Sequence, residues 1–203
     1  GSSVFSSPVN ISVIGGQGQE RNLYGFIDDL RITKGVARYS GNFTPPAEAF
    51  PNGPTASLAD PYFSNVSLLL NMDGNNGSQR FIDSSEFFSP TITDNSLNGF
   101  EMTYSGDFPR STAEKKFGSA SLRTSSAYKG VDTIFHPAFR FLEDFTLEFW
   151  FYRESNQTSN YIAYCEIGAY YDGILVREDG IYINGNNLGG FMPTPNKWTH
   201  FAL

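Results

Sequence analysis

The fold of this chain is decided by residues 144–151, which read Asp144-Phe145-Thr146-Leu147-Glu148-Phe149-Trp150-Phe151. Successive side chains of a β-strand point to opposite faces, so a strand here has one face made only of large apolar groups. Those groups are Phe145, Leu147, Phe149 and Phe151. The other face carries Asp144, Thr146, Glu148 and Trp150. The pattern predicts a central strand whose apolar face is buried against Leu68, Leu70 and Ile27.

Further short strands are predicted on both sides of this one. Residues 66–73 alternate in the same way, and residues 174–184 read as a hairpin with Gly180 at its tight turn. Helix signals are almost absent, and residues 111–116 have a pattern long enough for a single turn. About ten short strands between turns indicate an all-β fold of two sheets. The other predicted strands are residues 11–14, 24–33, 100–104, 120–123, 161–167 and 198–203.

The composition agrees with this fold class and excludes several functions. The chain has 203 residues, of which 16% are aromatic, and this is enough for a large core and not typical of disorder. The formal net charge is −7 and the one adjacent basic pair is Lys115-Lys116, so nucleic-acid binding is not expected. No apolar run approaches about 18 residues, so membrane insertion is not expected either. The single cysteine, Cys165, excludes an intrachain disulfide.

A proline-rich segment divides the chain. Residues 44–54 contain four prolines and lack strand alternation, which is typical of an extended, semi-rigid connector. We therefore predict an N-terminal part at residues 1–44, a connector at residues 45–64 and a C-terminal part at residues 65–203. The N-terminal part is too short to bury its own apolar side chains, so it needs strands that it does not contain.

Several motifs in the two parts share the pattern of one known family. In the N-terminal part they are residues 11–16 and the run YGFIDDLRITKGVARY at residues 24–39. In the C-terminal part they are residues 66–74, 81–85, 116–122, 144–150 and 198–203. The first set resembles the end of a laminin-G-like domain, and the second resembles its beginning. The resemblance implies a concanavalin A-like jelly-roll β-sandwich of two antiparallel sheets, split across two partial domains.

The order of the motifs implies a window cut from tandem repeats, because an ending precedes an opening. The strand that completes the N-terminal part has three possible sources: the C-terminal part of this chain, a neighbouring chain, or further sequence of the parent protein. We expect completion from outside this chain, since tandem repeats normally close each domain before the next begins. Pairing of residues 24–32 with residues 66–72 of the same chain would instead indicate a single permuted domain.

The resemblance also implies a function. This variant of the domain is similar to those common in bacteriophage virion and tail-fibre proteins. It implies a non-enzymatic structural or adhesion protein of the virion, or of a cell surface, whose partners are host-surface glycans and other copies or other virion proteins. Two alternatives stay open. One is an assembly scaffold or capsid decoration protein without a ligand, and the other is a glycan hydrolase.

Carboxylates near residues 144–151 are the candidates for glycan hydrolysis. Asp144 and Glu148 share a face, but four residues of strand separate them by roughly 13 Å. A retaining pair stands about 5 Å apart and an inverting pair about 6.5–9.5 Å apart. Glu143 belongs to the opposite face, and no Gly-x-Ser-x-Gly motif accompanies His136 or His200. No catalytic residue is predicted, and His200 is interpreted as a structural histidine.

Oxygen ligands follow the strand predicted at residues 66–73. Asn71, Asp73 and Asn75 are candidate calcium ligands, with Asp83 nearby in sequence. Their spacing does not match an EF-hand loop, and the alternative is a turn in which these side chains bond the backbone. Calcium is the one cofactor that the sequence suggests. A second acidic group is predicted to form an ion pair and turn caps: Asp28, Asp29 and Arg31.

Exposed aromatic rings beside hydrogen-bonding groups form the usual platform for a sugar, whose apolar face stacks on a ring. One predicted loop between strands has this chemistry, and so does the polar face of the strand at residues 144–151. The candidate carbohydrate-binding residues are Tyr170, Tyr171, Asp172, Trp150 and Tyr152.

Overall fold

The structure is a computed structural model. It describes residues 11–14, 16–17, 21–22, 25–52, 56–77, 92–93, 101–105, 110–124, 130–133, 144–155, 161–167, 173–177, 180–183, 186–189 and 193–203. The strands are β1 (Ile11–Ile14), β2 (Gly16–Gln17), β3 (Arg21–Asn22), β4 (Gly25–Lys34), β5 (Val66–Leu70), β6 (Ile92–Thr93), β7 (Glu101–Ser105), β8 (Arg110–Ser111), β9 (Ser121–Thr124), β10 (Gly130–Thr133), β11 (Phe145–Arg153), β12 (Tyr161–Ile167), β13 (Gly173–Arg177), β14 (Gly180–Ile183), β15 (Asn186–Asn187) and β16 (Trp198–Ala202).

Helix is confined to short pieces in the part of the chain that the structure describes. One turn of α-helix, α1, spans Ala56–Ala59, and a 3-10 turn spans Phe63–Asn65. The helical turn predicted at residues 111–116 is not formed, because Arg110 and Ser111 pair with β9 as strand β8. Within the described ranges, no helix is long and apolar enough to cross a membrane.

The strands form two large sheets and a small ribbon. One sheet has eight strands in the order β15-β14-β13-β12-β1-β10-β7-β6, and the ribbon joins β2 to β3. The second sheet has six strands: its order is β16-β11-β4-β9-β8, and β5 also pairs with β4. The described strand pairs are antiparallel throughout. The predicted all-β class is confirmed.

Strand β4, from the N-terminal part, lies at the centre of the six-stranded sheet. Strand β11 pairs along one edge of β4 over its whole length. On the other edge, β9 pairs with residues 25–27 and β5 pairs with residues 30–33. The expectation that strands from outside the chain complete the N-terminal part is therefore wrong, because β5, β9 and β11 of this chain occupy both edges of β4. The assignment of the two parts to laminin-G-like units stays a prediction.

The apolar face of β11 is buried as the sequence predicts. Phe145, at the start of the strand, is half-buried, and the rest of this face is closed to solvent. The ring of Phe149 lies 5.0 Å from that of Phe201 on β16, which extends the apolar layer across the sheet. The predicted core residues that are buried are Leu147, Phe149, Phe151, Ile27, Leu68 and Leu70.

A β-bulge at Asp29 lets β4 keep a single apolar face. Ile27 pairs with Phe151 and Ile32 pairs with Leu147, so five steps along β4 match four steps along β11. Asp29 has a φ of 51°, the left-handed conformation that allows a bulge to take up the extra residue. Without the bulge, Ile27 and Ile32 would point to opposite faces of the sheet.

The opposite face of this sheet, which we call the polar face, is also buried. Thr146, Glu148 and Trp150 of β11 are all closed to solvent. We call residues 35–52 and 56–65 the strap, because Arg38, Phe50 and Asp60 within them bond to residues of β4 across this face. The described residues of the predicted connector therefore include several that pack against the sheet. An apolar cluster joins the strap to β5, and its members are Phe50, Ala56, Phe63, Val66 and Leu69.

Candidate functional site

A network of buried ion pairs joins the strap to the polar face. Arg31 of β4 is its centre. Its Nε and Nη2 donate to Oε1 of Glu148 at 2.9 and 2.7 Å, and its Nη1 donates to Oδ2 of Asp60 in the strap at 3.0 Å. Glu148 lies opposite Arg31 in the register of β4 and β11, so the pairing of the strands sets this contact. All three side chains are almost fully buried.

Arg38 of the strap adds a second guanidinium to the network. Its Nη1 and Nη2 donate to Oδ1 and Oδ2 of Asp60 at 3.0 and 2.8 Å, and its Nε donates to Oγ1 of Thr33 at 2.6 Å. Such a bidentate pair is among the strongest in proteins. Burial raises the pKa of Asp60, but Arg38 and the N–H of Tyr62 outweigh it and hold that pKa below its ordinary value. Asp60 is therefore ionised at neutral pH.

The second oxygen of Glu148 is also engaged. Tyr39 Oη donates to Oε2 at 2.6 Å, and His200 Nε2 lies 3.5 Å from the same atom. Burial raises the pKa of Glu148, but His200 and Arg31 outweigh it, so the pKa lies below its ordinary value. Glu148 is an ionised carboxylate with no exposed surface. The side chain of His200 is fully buried beside it, and its structural role stays a prediction.

An open cleft of about 600 Å³ lies where the strap crosses this network. Three aromatic residues line it, Tyr39, Phe50 and Tyr62, and the last two lie beside the arginines. The guanidinium carbon of Arg31 lies 3.8 Å from the ring centre of Phe50, and that of Arg38 lies 5.5 Å from the ring centre of Tyr62. Tyr62 is 45% exposed. The residues that line the cleft are Arg31, Arg38, Tyr39, Pro46, Ala47, Glu48, Ala49, Phe50, Pro51, Ala59, Asp60, Pro61 and Tyr62.

The bulge residue Asp29 anchors the strap above the sheet. Its Oδ2 accepts the N–H of Phe50 at 2.7 Å, and its Oδ1 accepts Nδ2 of Asn71 at 2.7 Å. Burial raises the pKa of Asp29 to about 7, although these two hydrogen bonds lower it. At the other end of the strap, Asn65 Nδ2 donates to the carbonyl of Lys34 at 3.1 Å. The strap is therefore fixed by polar contacts as well as by its apolar cluster.

A further buried acidic group lies beside the network. Asp28 Oδ2 accepts the backbone N–H groups of Lys116 and Phe117 at 2.8 and 3.1 Å. Burial raises the pKa of Asp28 to about 8, although those two bonds lower it. Asp28 lies opposite Trp150 in register, and Lys116 Nζ lies 4.0 Å from the Trp150 ring centre. This contact covers the indole ring, as does the edge of Phe117 at 5.9 Å.

Two of the predicted carbohydrate-binding residues, Trp150 and Tyr152, lie in the described part of the chain, and other side chains contact both of their rings. Trp150 is only 6% exposed, so a sugar would have to displace Lys116 and Phe117 to reach its ring. Tyr152 is half-buried, with the rings of Phe26 and Trp198 at 5.7 and 5.6 Å. The part of these residues in sugar binding stays a prediction. The others lie outside the described residues: Tyr170, Tyr171 and Asp172.

The predicted calcium ligands bond other parts of the protein. Asp73 accepts the backbone N–H of Ser119, and Asn71 reaches Asp29 as described. Asn75 is exposed, and Asp83 lies outside the described residues. The described chain contains no group of three or more His, Cys, Asp or Glu side chains placed to hold a metal ion. Calcium binding stays a prediction.

The residues that form the cleft were not predicted from the sequence. Arg31 was expected to pair with Asp28 or Asp29, but its partners are Glu148 and Asp60. One signal for them was present in the sequence: Glu148 belongs to a strand whose other residues are mostly too apolar for the protein surface. Such a carboxylate needs a buried cation.

Comparison with known proteins finds no matching family model, no matching curated protein and no matching solved structure. The function is therefore argued from the chain itself.

Proposed function

We propose that this chain is a non-enzymatic, glycan-binding module of a virion or cell-surface protein. Its fold in this proposal is a laminin-G-like, concanavalin A-like jelly-roll sandwich. Two large antiparallel sheets and the ordered sequence motifs support that fold. Because β4 pairs with strands of the C-terminal part, the proposal takes the form of one permuted unit. Its partners are host-surface glycans and other copies or other virion proteins.

The observation that carries the proposal is the cleft beside the strap. It combines an exposed ring, Tyr62, with the planar polar groups of Arg38, Asp60 and Glu48. Sugars bind where a ring can stack on the apolar face of the pyranose and where fixed polar groups can bond its hydroxyls. Hydrogen bonds hold Arg38 and Asp60 in place before any ligand arrives, and such preorganisation favours binding.

The arrangement of Glu148 supports a non-enzymatic role. A glycosidase acid must reach the glycosidic oxygen and must hold a proton at the working pH. Glu148 has no exposed surface, is ionised, and is held on both oxygens by Arg31 and Tyr39. It is therefore poorly suited to donate a proton to a substrate in the cleft.

A glycan array probed with the full chain tests the proposal. We expect binding to at least one class of oligosaccharide and no release of reducing ends from the corresponding polysaccharide. Absence of binding across the array would contradict the proposal and favour a scaffold or decoration protein without a ligand. Turnover of the polysaccharide would contradict it in favour of a glycan hydrolase.

A further inference from the structure

The cationic groups of the cleft are already engaged. Each nitrogen of the Arg38 guanidinium donates to a protein acceptor, two to Asp60 and one to Thr33. Arg31 is held in the same way by Glu148 and Asp60. An acidic ligand that sought the bidentate edge of Arg38 would have to displace the carboxylate of Asp60 from a buried pair. Doing so would leave the carboxylate of Asp60 buried without this partner, which is strongly unfavourable.

The charge of the cleft also disfavours an anion. Its lining holds two cations, Arg31 and Arg38, and two anions, Asp60 and Glu48, so its formal charge is 2 − 2 = 0. Glu148 lies directly behind Arg31 and adds a further negative charge. The whole chain carries −7. The lining therefore offers no net positive charge to attract a polyanion such as a sulfated or uronic-acid glycan, and the net negative charge of the chain disfavours its approach.

The remaining features suit a neutral ligand. Tyr62 presents a ring that is 45% exposed at the edge of the cleft. Glu48 is exposed and offers a carboxylate that can accept hydrogen bonds from sugar hydroxyls. The walls include Pro46, Pro51 and Pro61, whose fixed φ angles reduce the conformational freedom lost on binding.

We infer that the cleft binds neutral saccharides, through stacking on Tyr62, and excludes acidic ones. This inference rests on the proposed function, because it names the ligand class and the residues of the same glycan-binding site. Stacking on the ring supplies affinity, and the exposed carboxylate of Glu48 accepts hydrogen bonds from hydroxyl groups. The arginines position Asp60 and do not act as anion receptors.

The test compares two matched probes on the full chain: a neutral galacto-oligosaccharide series and the corresponding oligogalacturonate series. The same comparison is made with gluco- and manno-oligosaccharides against their uronates. Titration calorimetry is used for wild type, for Tyr62→Ala, and for Leu58→Ala as control. Leu58 lies in the strap and is 86% exposed but does not line the cleft. Circular dichroism checks that each variant keeps the fold.

We expect a neutral series to bind. Tyr62→Ala should lower its affinity by about tenfold, which corresponds to the loss of about 1.4 kcal/mol of stacking free energy. Leu58→Ala should leave the affinity unchanged within about twofold. Glu48→Lys should let the acidic series bind by reversing the charge at the rim. Preferential binding of the acidic series by wild type would overturn the inference and leave glycan binding in place. An affinity for the neutral series that is the same in wild type and in Tyr62→Ala would overturn it as well. Failure of every series to bind would overturn the inference, whereas only absence of binding across the whole glycan array would overturn the proposed function.

Discussion

Arg31 and Glu148 are 117 residues apart in the chain, yet they lie opposite each other on β4 and β11, and the guanidinium donates two hydrogen bonds to one carboxylate oxygen. Both groups are buried, so their attraction must offset the loss of their hydration. The Asp60 carboxylate on the strap satisfies Arg31 further. The pair therefore links the two parts of the chain and the strap in a single contact.

Glu148→Gln should destabilise the protein strongly. The substitution keeps the shape of the side chain but removes one charge of a buried pair, and this typically lowers the free energy of unfolding by about 3–5 kcal/mol. Urea unfolding of the full chain measures the change. The matched control is Glu154→Gln, whose partner Arg123 lies 3.5 Å away with its side chain 45% exposed. There we expect a change within about 1 kcal/mol. Equal effects at the two positions would contradict the prediction.

Phe149→Ala should remove a central part of the apolar layer. The ring is buried against Phe151 and Phe201, and large-to-small changes of this kind lower the free energy of unfolding by about 3–5 kcal/mol. The control is Phe43→Ala, because Phe43 is partly exposed and stacks on Tyr39 at 3.8 Å. Its loss should cost about 1 kcal/mol. A smaller effect at Phe149 than at Phe43 would show that the register of β11 is wrong.

The strand of Phe149 also shows how much the sequence predicts. Period-two alternation was sufficient to predict β11, its apolar face and the all-β class, because burial of one face is a local property of the sequence. The polar face was not predictable in this way. The strap covers it, and the contacts that hold the two together join Arg31 to Asp60 and Glu148, which lie 29 and 117 residues away. No local pattern encodes contacts of that length.

The bulge at Asp29 escaped prediction for a related reason. A single extra residue, Asp29, shifts the alternation of β4. The apolar residues before and after it fit a regular strand as well as they fit a bulged one. Only pairing with β11 shows that Ile27 and Ile32 share a face. The candidate site depends on the same shift, because it places Arg31 opposite Glu148. A regular strand would turn Arg31 away from the strap.

Stability should fall as the pH rises from about 4 to about 8, because of Asp28 and Asp29. Burial raises their pKa values to about 8 and about 7, from an ordinary value of 3.8. The folded state therefore holds these protons more tightly than the unfolded state. Their contribution is complete below pH 3.8 and is lost as the pH rises through 7 and 8. Each group lowers the free energy of unfolding by about 1.4 kcal/mol per pH unit within that window.

Asp28→Asn tests this pH dependence. Its amide oxygen can still accept the N–H groups of Lys116 and Phe117, but the side chain no longer titrates. Urea unfolding at several pH values between about 4 and 9 should show a shallower fall in stability for this variant than for wild type. Identical slopes for wild type and Asp28→Asn would refute the prediction.

Gly25→Ala should disrupt the start of β4. A Cβ at this position would overlap the carbonyl oxygen of Tyr152 on β11, and backbone atoms on a central strand cannot move aside without breaking the pairing. We expect a loss of more than about 2 kcal/mol in the free energy of unfolding. Gly41→Ala in the strap is the control, since a Cβ there meets no atom within 4 Å. It should change stability by less than about 0.5 kcal/mol.

Asp60→Asn should release the strap while leaving the sheet folded. Asn keeps one acceptor but loses the charge that pairs with Arg31 and Arg38, so the strap loses its strongest contact with β4. Local opening should then occur more readily than global unfolding. Hydrogen exchange should speed up at the amide of Phe50, which Asp29 holds, and at that of Phe63, which the Asp60 carbonyl holds. Exchange within β11 should change less.

The control for the strap is Asn52→Ala, which removes a hydrogen bond from the exposed side chain of Asn52 to that of Asn71. It should leave the exchange of Phe50 unchanged. If Asp60→Asn accelerates exchange equally in the strap and in β11, the strap is part of the global folding unit and does not open on its own. If it accelerates neither, the ion pairs of Asp60 do not hold the strap, and the apolar cluster around Phe63 and Leu69 holds it instead.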